Sequence, residues 1–122
     1  GPGGPGGDIV GTWIDSDDSV YVLDETTWTV TFDDDSVATY AVTKFNADLQ
    51  YAVAENGAEN PENASLWSRF EWIPGGEPNL YLCHRVTDGA NKSSAGGVTP
   101  ADPNSPSTGG CNDAPWVLLS PH

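Results

Sequence analysis

The chain predicts an all-β domain of about eight antiparallel strands, arranged as an up-and-down meander that closes into a barrel or flattens on itself. Three observations carry this. Residues 26–33 alternate strictly: Thr26, Trp28, Val30 and Phe32 point one way, and Thr27, Thr29, Thr31 and Asp33 the other. That period of two marks a half-buried strand. Most apolar runs are separated by turns of two to five residues, and turns that short join antiparallel neighbours. No segment holds a convincing helical period.

In order, the first strand is Ile9–Ile14, ended by the polar turn Asp15–Asp18. Ser19–Asp24 follows, then Asp24-Glu25, then the alternating run Thr26–Asp33 and the turn Asp33–Asp35. Ser36–Phe45 and Leu49–Glu55 form a hairpin about Asn46–Asp48. After the wider polar loop Gly57–Ala64, Leu66–Ile73 and Leu80–Val86 pair across the Pro/Gly turn Pro74–Pro78. Pro115–Leu119 is the last strand and returns beside the first. Thr87–Ala114 is long and rich in Gly, Pro, Ser and Asn. Loops of that length are usually functional or disordered. A disulfide at its far end favours an ordered flap, with a short helical turn at Asp88–Ser94.

The Ser36–Glu55 hairpin is apolar on both faces. Phe45, Leu49, Tyr51 and Val53 gather on one side, and Tyr40, Val42, Ala52 and Ala54 on the other. One face is core. The other needs the 87–114 flap, a homodimer contact, or a bulge that shifts the register.

At 122 residues the chain holds one domain, residues 9–122. Residues 1–8 open Gly-Pro-Gly-Gly-Pro-Gly-Gly and read as a flexible linker or an expression scar. No stretch reaches the roughly 18 apolar residues of a membrane span, so direct membrane insertion is not expected. Eighteen acidic residues face four basic ones, for a net charge of −14. Such a surface repels phosphate backbones and anionic lipid, which argues against nucleic-acid and membrane-surface roles.

Cys83 and Cys111 favour one disulfide over two free thiols. Neither lies in a Cys-x-x-Cys pair, and only His84 and His122 could complete a zinc set. Scarce lysine and the sequons Asn63-Ala64-Ser65 and Asn91-Lys92-Ser93 also point outside the cytosol. The expected location is extracytoplasmic, secreted or lipid-anchored at the cell surface. By loop entropy, closing residues 83–111 would stabilise the fold by roughly 3–4 kcal/mol.

Candidate ligand-binding residues lie on the hairpin about Pro74–Pro78. A turn centred near Gly76 sets Glu71 opposite Tyr81, Arg69 opposite Cys83 and Trp67 opposite Arg85. The other face pairs Trp72 with Leu80, Phe70 with Leu82 and Ser68 with His84, and looks like core. Trp67, Arg69, Glu71, Tyr81 and Arg85 thus put two of the four bases beside aromatic rings and a carboxylate. Such a set suits a sugar or a carboxylated small molecule. It equally describes a solvated sheet face with a structural Arg69–Glu71 or Arg85–Trp67 pair. No cofactor is expected except calcium. Asp15, Asp17 and Asp18 begin like an EF-hand loop, but Ser19 and Val20 stand where that loop needs a further ligand and a glycine. Aspartate also favours turns for backbone reasons.

The opening Ile9-Val10-Gly11-Thr12-Trp13 resembles the Gly-x-Trp start of lipocalin-like and avidin-like barrels. That resemblance implies a small ligand-binding barrel whose floor is plugged by Trp13. The later lipocalin motifs are absent. Residues 66–72, 80–83 and 109–111 look similar to uncharacterised secreted lipoproteins of myxobacterial type, which implies a compartment and no activity. The expected function is a binding or adhesion module that recognises a small molecule, a glycan or a surface protein, and not an enzyme. The alternatives are a calcium-stabilised structural domain of a cell-surface assembly and a hydrolase using carboxylates. A Ser68–His84 couple has no nucleophile elbow around it.

Overall fold

A computed structural model describes residues 9–76 and 78–122, so the Gly/Pro segment read as a linker or scar lies outside the described residues. Eight strands form where the alternation places them: β1 Gly11–Ile14, β2 Val20–Leu23, β3 Thr27–Thr31, β4 Val37–Asn46, β5 Tyr51–Asn56, β6 Trp67–Pro74, β7 Leu80–Gly89 and β8 Val117–Pro121. Each pairs antiparallel with its neighbour in sequence, and β8 pairs back onto β1 through Trp13↔Pro121 and Ile14↔Ser120. The strands close into a barrel, with β8 pairing to Leu80, Tyr81 and Leu82 of β7 on its other side. The disulfide joins Cys83 to Cys111. No helix among the described residues is long and apolar enough to cross a membrane.

The strand directions give the barrel two distinct ends. The β2–β3, β4–β5 and β6–β7 connections lie at one end, where the chain also enters β1 from Ile9. That end is packed: Ile9, Trp13, Leu23, Trp28, Trp72, Leu80 and Leu119 belong to one buried cluster. The indole of Trp13 donates to Ile9 O at 2.9 Å and that of Trp28 to Asp24 O at 2.8 Å, so each buries its ring and satisfies its N–H. Residues 15–19, 32–36 and 57–66 turn at the opposite end, where the packing opens.

Aspartates shape several of these turns. The carboxylates of Asp15, Asp24 and Asp34 each accept the amide two residues on. Hydrogen bonds from the Thr27 and Thr26 amides and the Thr26 hydroxyl hold Asp24 below the usual carboxylate range. Part of the acidic excess is therefore turn chemistry.

The doubly apolar hairpin is resolved by both a bulge and the flap. The β4–β5 register shifts between Val42 and Lys44, which brings Phe45 opposite Ala52 and into the interior. Phe45 therefore parts from Tyr51 and Val53, the side on which the sequence placed it. Val53, on the outer face, is covered by α1, Lys92–Gly96, within the 87–114 segment. This helix starts later than the turn expected at residues 88–94, because Asn91 forms the cap. The Asn91 side chain accepts from Ser94 N at 2.8 Å, and the Ser94 hydroxyl closes the box. Gly89 makes the docking possible, since a Cβ there would lie 3.1 Å from both Ala95 Cβ and Trp67 O.

The β6–β7 hairpin is offset by two residues from the expected register. Trp72 faces Leu82, Phe70 faces His84 and Glu71 faces Cys83. The turn explains this: Gly75 N donates to Asn79 O at 3.0 Å and Asn79 N to Gly76 O at 2.7 Å, so Pro74 and Leu80 close the ladder. An offset of two keeps every residue on its face. Two further irregularities, one on each side of Arg69, set Trp67 opposite Gly89 and leave Arg85 out of the ladder.

Candidate ligand-binding site

The open end of the barrel is built by one turn, one loop and three strand ends. After β3, Phe32 N donates to Ser36 O at 2.8 Å, and Asp34 Oδ1 accepts from the Ser36 hydroxyl at 2.6 Å and its amide at 3.0 Å. Those two bonds hold the Asp34 carboxyl below the usual range. Across the opening, the loop after β5 is pinned by Asn60. Its Oδ1 accepts from Thr39 N and its Nδ2 donates to Thr39 O, both at 2.8 Å, so one side chain imitates a strand partner. Gly57 lets this loop approach β4 closely, because a Cβ there would displace the Thr39 hydroxyl.

Below this rim runs a chain of forced hydrogen bonds. Asn56 Nδ2 donates to Asn63 O at 2.9 Å and to Thr87 O at 3.0 Å, which uses both its protons and turns its Oδ1 toward Ser68. Ser68 Oγ donates to that oxygen at 2.5 Å. The single hydroxyl proton is then spent, so Ser68 can only accept from His84 Nε2, 2.8 Å away. The network therefore assigns the Nε2–H tautomer to His84 and leaves Nδ1 as an acceptor. Burial pushes the imidazole down to about 4, so it is neutral at physiological pH. The direction of these bonds argues against the nucleophilic reading. Ser68 gives its proton to Asn56, so His84 is not placed as its base.

His84 ends an aromatic column that rises through the barrel. Phe45 stacks on Trp72 at 5.4 Å, Trp72 meets Trp28 at 6.0 Å, and Trp28 meets Phe70 at 4.6 Å. Phe70 then stacks on His84 at 4.3 Å, and Tyr40 meets the imidazole edge-on at 5.7 Å. Next to them lies a cavity of about 500 Å³, whose lining includes Phe32, Ala38, Tyr40, Pro61, His84 and Thr87 as well as the carboxylates of Asp33, Asp34 and Glu62. Its size falls in the range of small-molecule sites. Burial, with Glu62 nearby, raises the Tyr40 phenol, which keeps its proton.

The residues singled out from sequence lie elsewhere. Arg69 and Glu71 are buried on the outer face of β6 and joined at 2.8 Å. Arg69 also donates to Gly96 O at 3.0 Å and lies over the Tyr51 ring at 4.1 Å. The other oxygen of Glu71 accepts from Ala101 N at 2.9 Å. Arg85 donates to Thr99 O at 3.0 Å and to Asn112 Oδ1 at 2.5 Å. Two bases and a carboxylate thus clasp the flap. Trp67 is half-buried opposite Glu55 and Gly89. Tyr81 lies apart from them, in a second cleft with Asp15, Asp17 and Trp116. The structural Arg69–Glu71 pair that the sequence also allowed is present, but under the flap and not in solvent.

The aspartate turn is likewise occupied by the chain itself. Asp15 Oδ1 accepts from Asp17 N at 2.8 Å and Ser19 N at 3.1 Å, while Oδ2 accepts from the Tyr21 hydroxyl at 2.8 Å. Asp18 adopts φ 65° to close the turn. Among the described residues, no group of three or more His, Cys, Asp or Glu side chains is placed to hold a metal ion.

No known protein family, curated protein or solved structure matches this chain. The site must therefore be read from its own chemistry. Phe32, Tyr40, Asn56 and His84 come from four separate regions of the chain, so no local motif announces them. The available signal was positional. Asn56 and His84 are polar residues at inward positions of strands, and a polar residue inside a barrel needs partners or a ligand.

Proposed function

We propose that this protein is an extracytoplasmic binding module that takes a small molecule into the open end of its barrel. The observation that carries this is the cavity lined by His84 together with Phe32 and Tyr40, where the Tyr40 ring meets the imidazole edge-on. The Gly-x-Trp opening supports the reading, since Trp13 is buried in the packed core. A closed barrel with one packed and one open end is a common way to hold a single small ligand. The formed disulfide is compatible with a site of action outside the cytosol.

The test is a screen of small aromatic fragments by ligand-observed NMR, run on the wild type and on Ala38→Leu. Ala38 is buried in the cavity wall, so the added carbons fill the space a ligand would use. The expected result is a set of binders lost in the folded variant. Binders that persist in Ala38→Leu would place the site elsewhere.

A further inference from the structure

We infer that the ligand of the barrel mouth is an organic cation, a protonated amine carried on a small aromatic or aliphatic body. This rests on the cavity reading above and names its ligand class.

Several polar groups around the cavity are already consumed. Asn60 uses both ends of its amide on Thr39, Asn56 uses its amide on Ser68, Asn63 and Thr87, and the Ser36 hydroxyl goes to Asp34. What remains is mostly acceptor. Asp33 and Glu62 accept no side-chain or turn hydrogen bond among the described residues, and His84, whose Nδ1 carries a lone pair by the tautomer argument, is among the lining residues. Tyr40, Asn63 and Thr87 are neutral and can both donate and accept. The lining contains three carboxylates and none of the four Lys or Arg residues. Arg69 and Arg85 are committed to the flap.

A ligand entering this space meets one sign of charge and a surplus of lone pairs. An ammonium group supplies up to three donors and the opposite charge. Its carbon body can lie against Phe32, Ala38, Tyr40 and the flat face of His84, where a cation also gains from the aromatic rings. A carboxylate in the same place would face three others, so the acidic ligand allowed by the sequence is disfavoured here. A sugar could satisfy the acceptors but would not use the charge. Amine, alcohol and acid of one shape therefore separate the possibilities.

The experiment is calorimetry with benzylammonium, benzyl alcohol and benzoate on the wild-type protein at neutral pH, with amide NMR locating any binding. The expected result is benzylammonium at the mouth, at least about fivefold tighter than benzyl alcohol, with benzoate weakest. The preference should shrink severalfold between about 0.02 and about 0.5 M salt. Glu62→Gln should weaken the amine about threefold and leave the alcohol unchanged. Equal affinity for amine and alcohol at the mouth, or preference for benzoate, overturns the cation inference while the cavity reading stands. Failure of all three probes, or binding confined to the outer face at Trp67 and Tyr81, overturns both.

Discussion

Two polar clusters lie on opposite sides of the β6–β7 wall. On the outside, Arg69, Glu71 and Arg85 meet Gly96, Ala101, Thr99 and Asn112 of the flap. Each of these charged groups has a partner in the chain. At the mouth, the exposed carboxylates of Asp33 and Glu62 and the imidazole of His84 line a cavity. Both clusters combine charge with aromatic rings, so composition does not separate a clasp from a binding site. Hydrogen-bond satisfaction does. A buried polar group with all its partners supplied by the chain stabilises one conformation, whereas groups left open into a cavity can recognise something else.

The largest expected effect comes from breaking the clasp. Glu71→Ala leaves the Arg69 guanidinium buried without its carboxylate and removes the acceptor of Ala101 N. The expected loss is about 3–5 kcal/mol in urea unfolding, because an uncompensated buried charge remains. Amine binding by the folded fraction should be unchanged, since the clasp lies on the other side of the wall. A loss below about 1 kcal/mol would mean that the clasp is solvent-screened and not buried.

Acidification should act next, and through the mouth. His84 is held down to about 4 by burial against an ordinary value of 6.5. Below 6.5 the unfolded chain binds this proton and the folded one does not, so stability is full above pH 6.5 and falls as pH drops toward 4. The difference amounts to about 3 kcal/mol. Unfolding curves across this range should show the slope, and His84→Gln should flatten it. An unchanged slope in that variant would assign the effect to other groups.

A smaller effect is expected from Ser68→Ala. It strips Asn56 Oδ1 of its donor and His84 Nε2–H of its acceptor. Leaving such groups unsatisfied costs about 1–3 kcal/mol. The imidazole should also lose its fixed tautomer, visible in its ¹⁵N shifts. A preserved Nε2–H signature would show that the tautomer is set by something other than this chain of bonds.

The barrel was legible in the sequence because alternation and short turns are local signals. Thr27–Thr31 alternates as its sequence does, and the sequential pairing follows from turns too short for crossovers. The hairpin register was less legible. Pro74–Pro78 allows two turn centres, and only the hydrogen bonds of Gly75 and Asn79 choose between them. The covering of the hairpin's second face was foreseen as a choice between bulge, flap and partner. The bulge and the flap both occur, and neither is written in periodicity. The role of Arg69 was least legible, since a flap some 27 residues away decides whether that guanidinium faces solvent or Gly96. The mouth escaped local reading for the same reason, as Tyr40, Asn56 and His84 meet only when the barrel closes.

On this reading the mouth, and not the clasp, receives the ligand. Amide shifts of ¹⁵N-labelled protein titrated with benzylammonium test it most directly. The predicted result is saturable shifts at Phe32, Tyr40, Glu62 and His84, with Tyr51, Arg69 and Glu71 unmoved. Shifts concentrated at Tyr51, Arg69, Glu71 and Tyr81, with the mouth silent, would contradict it.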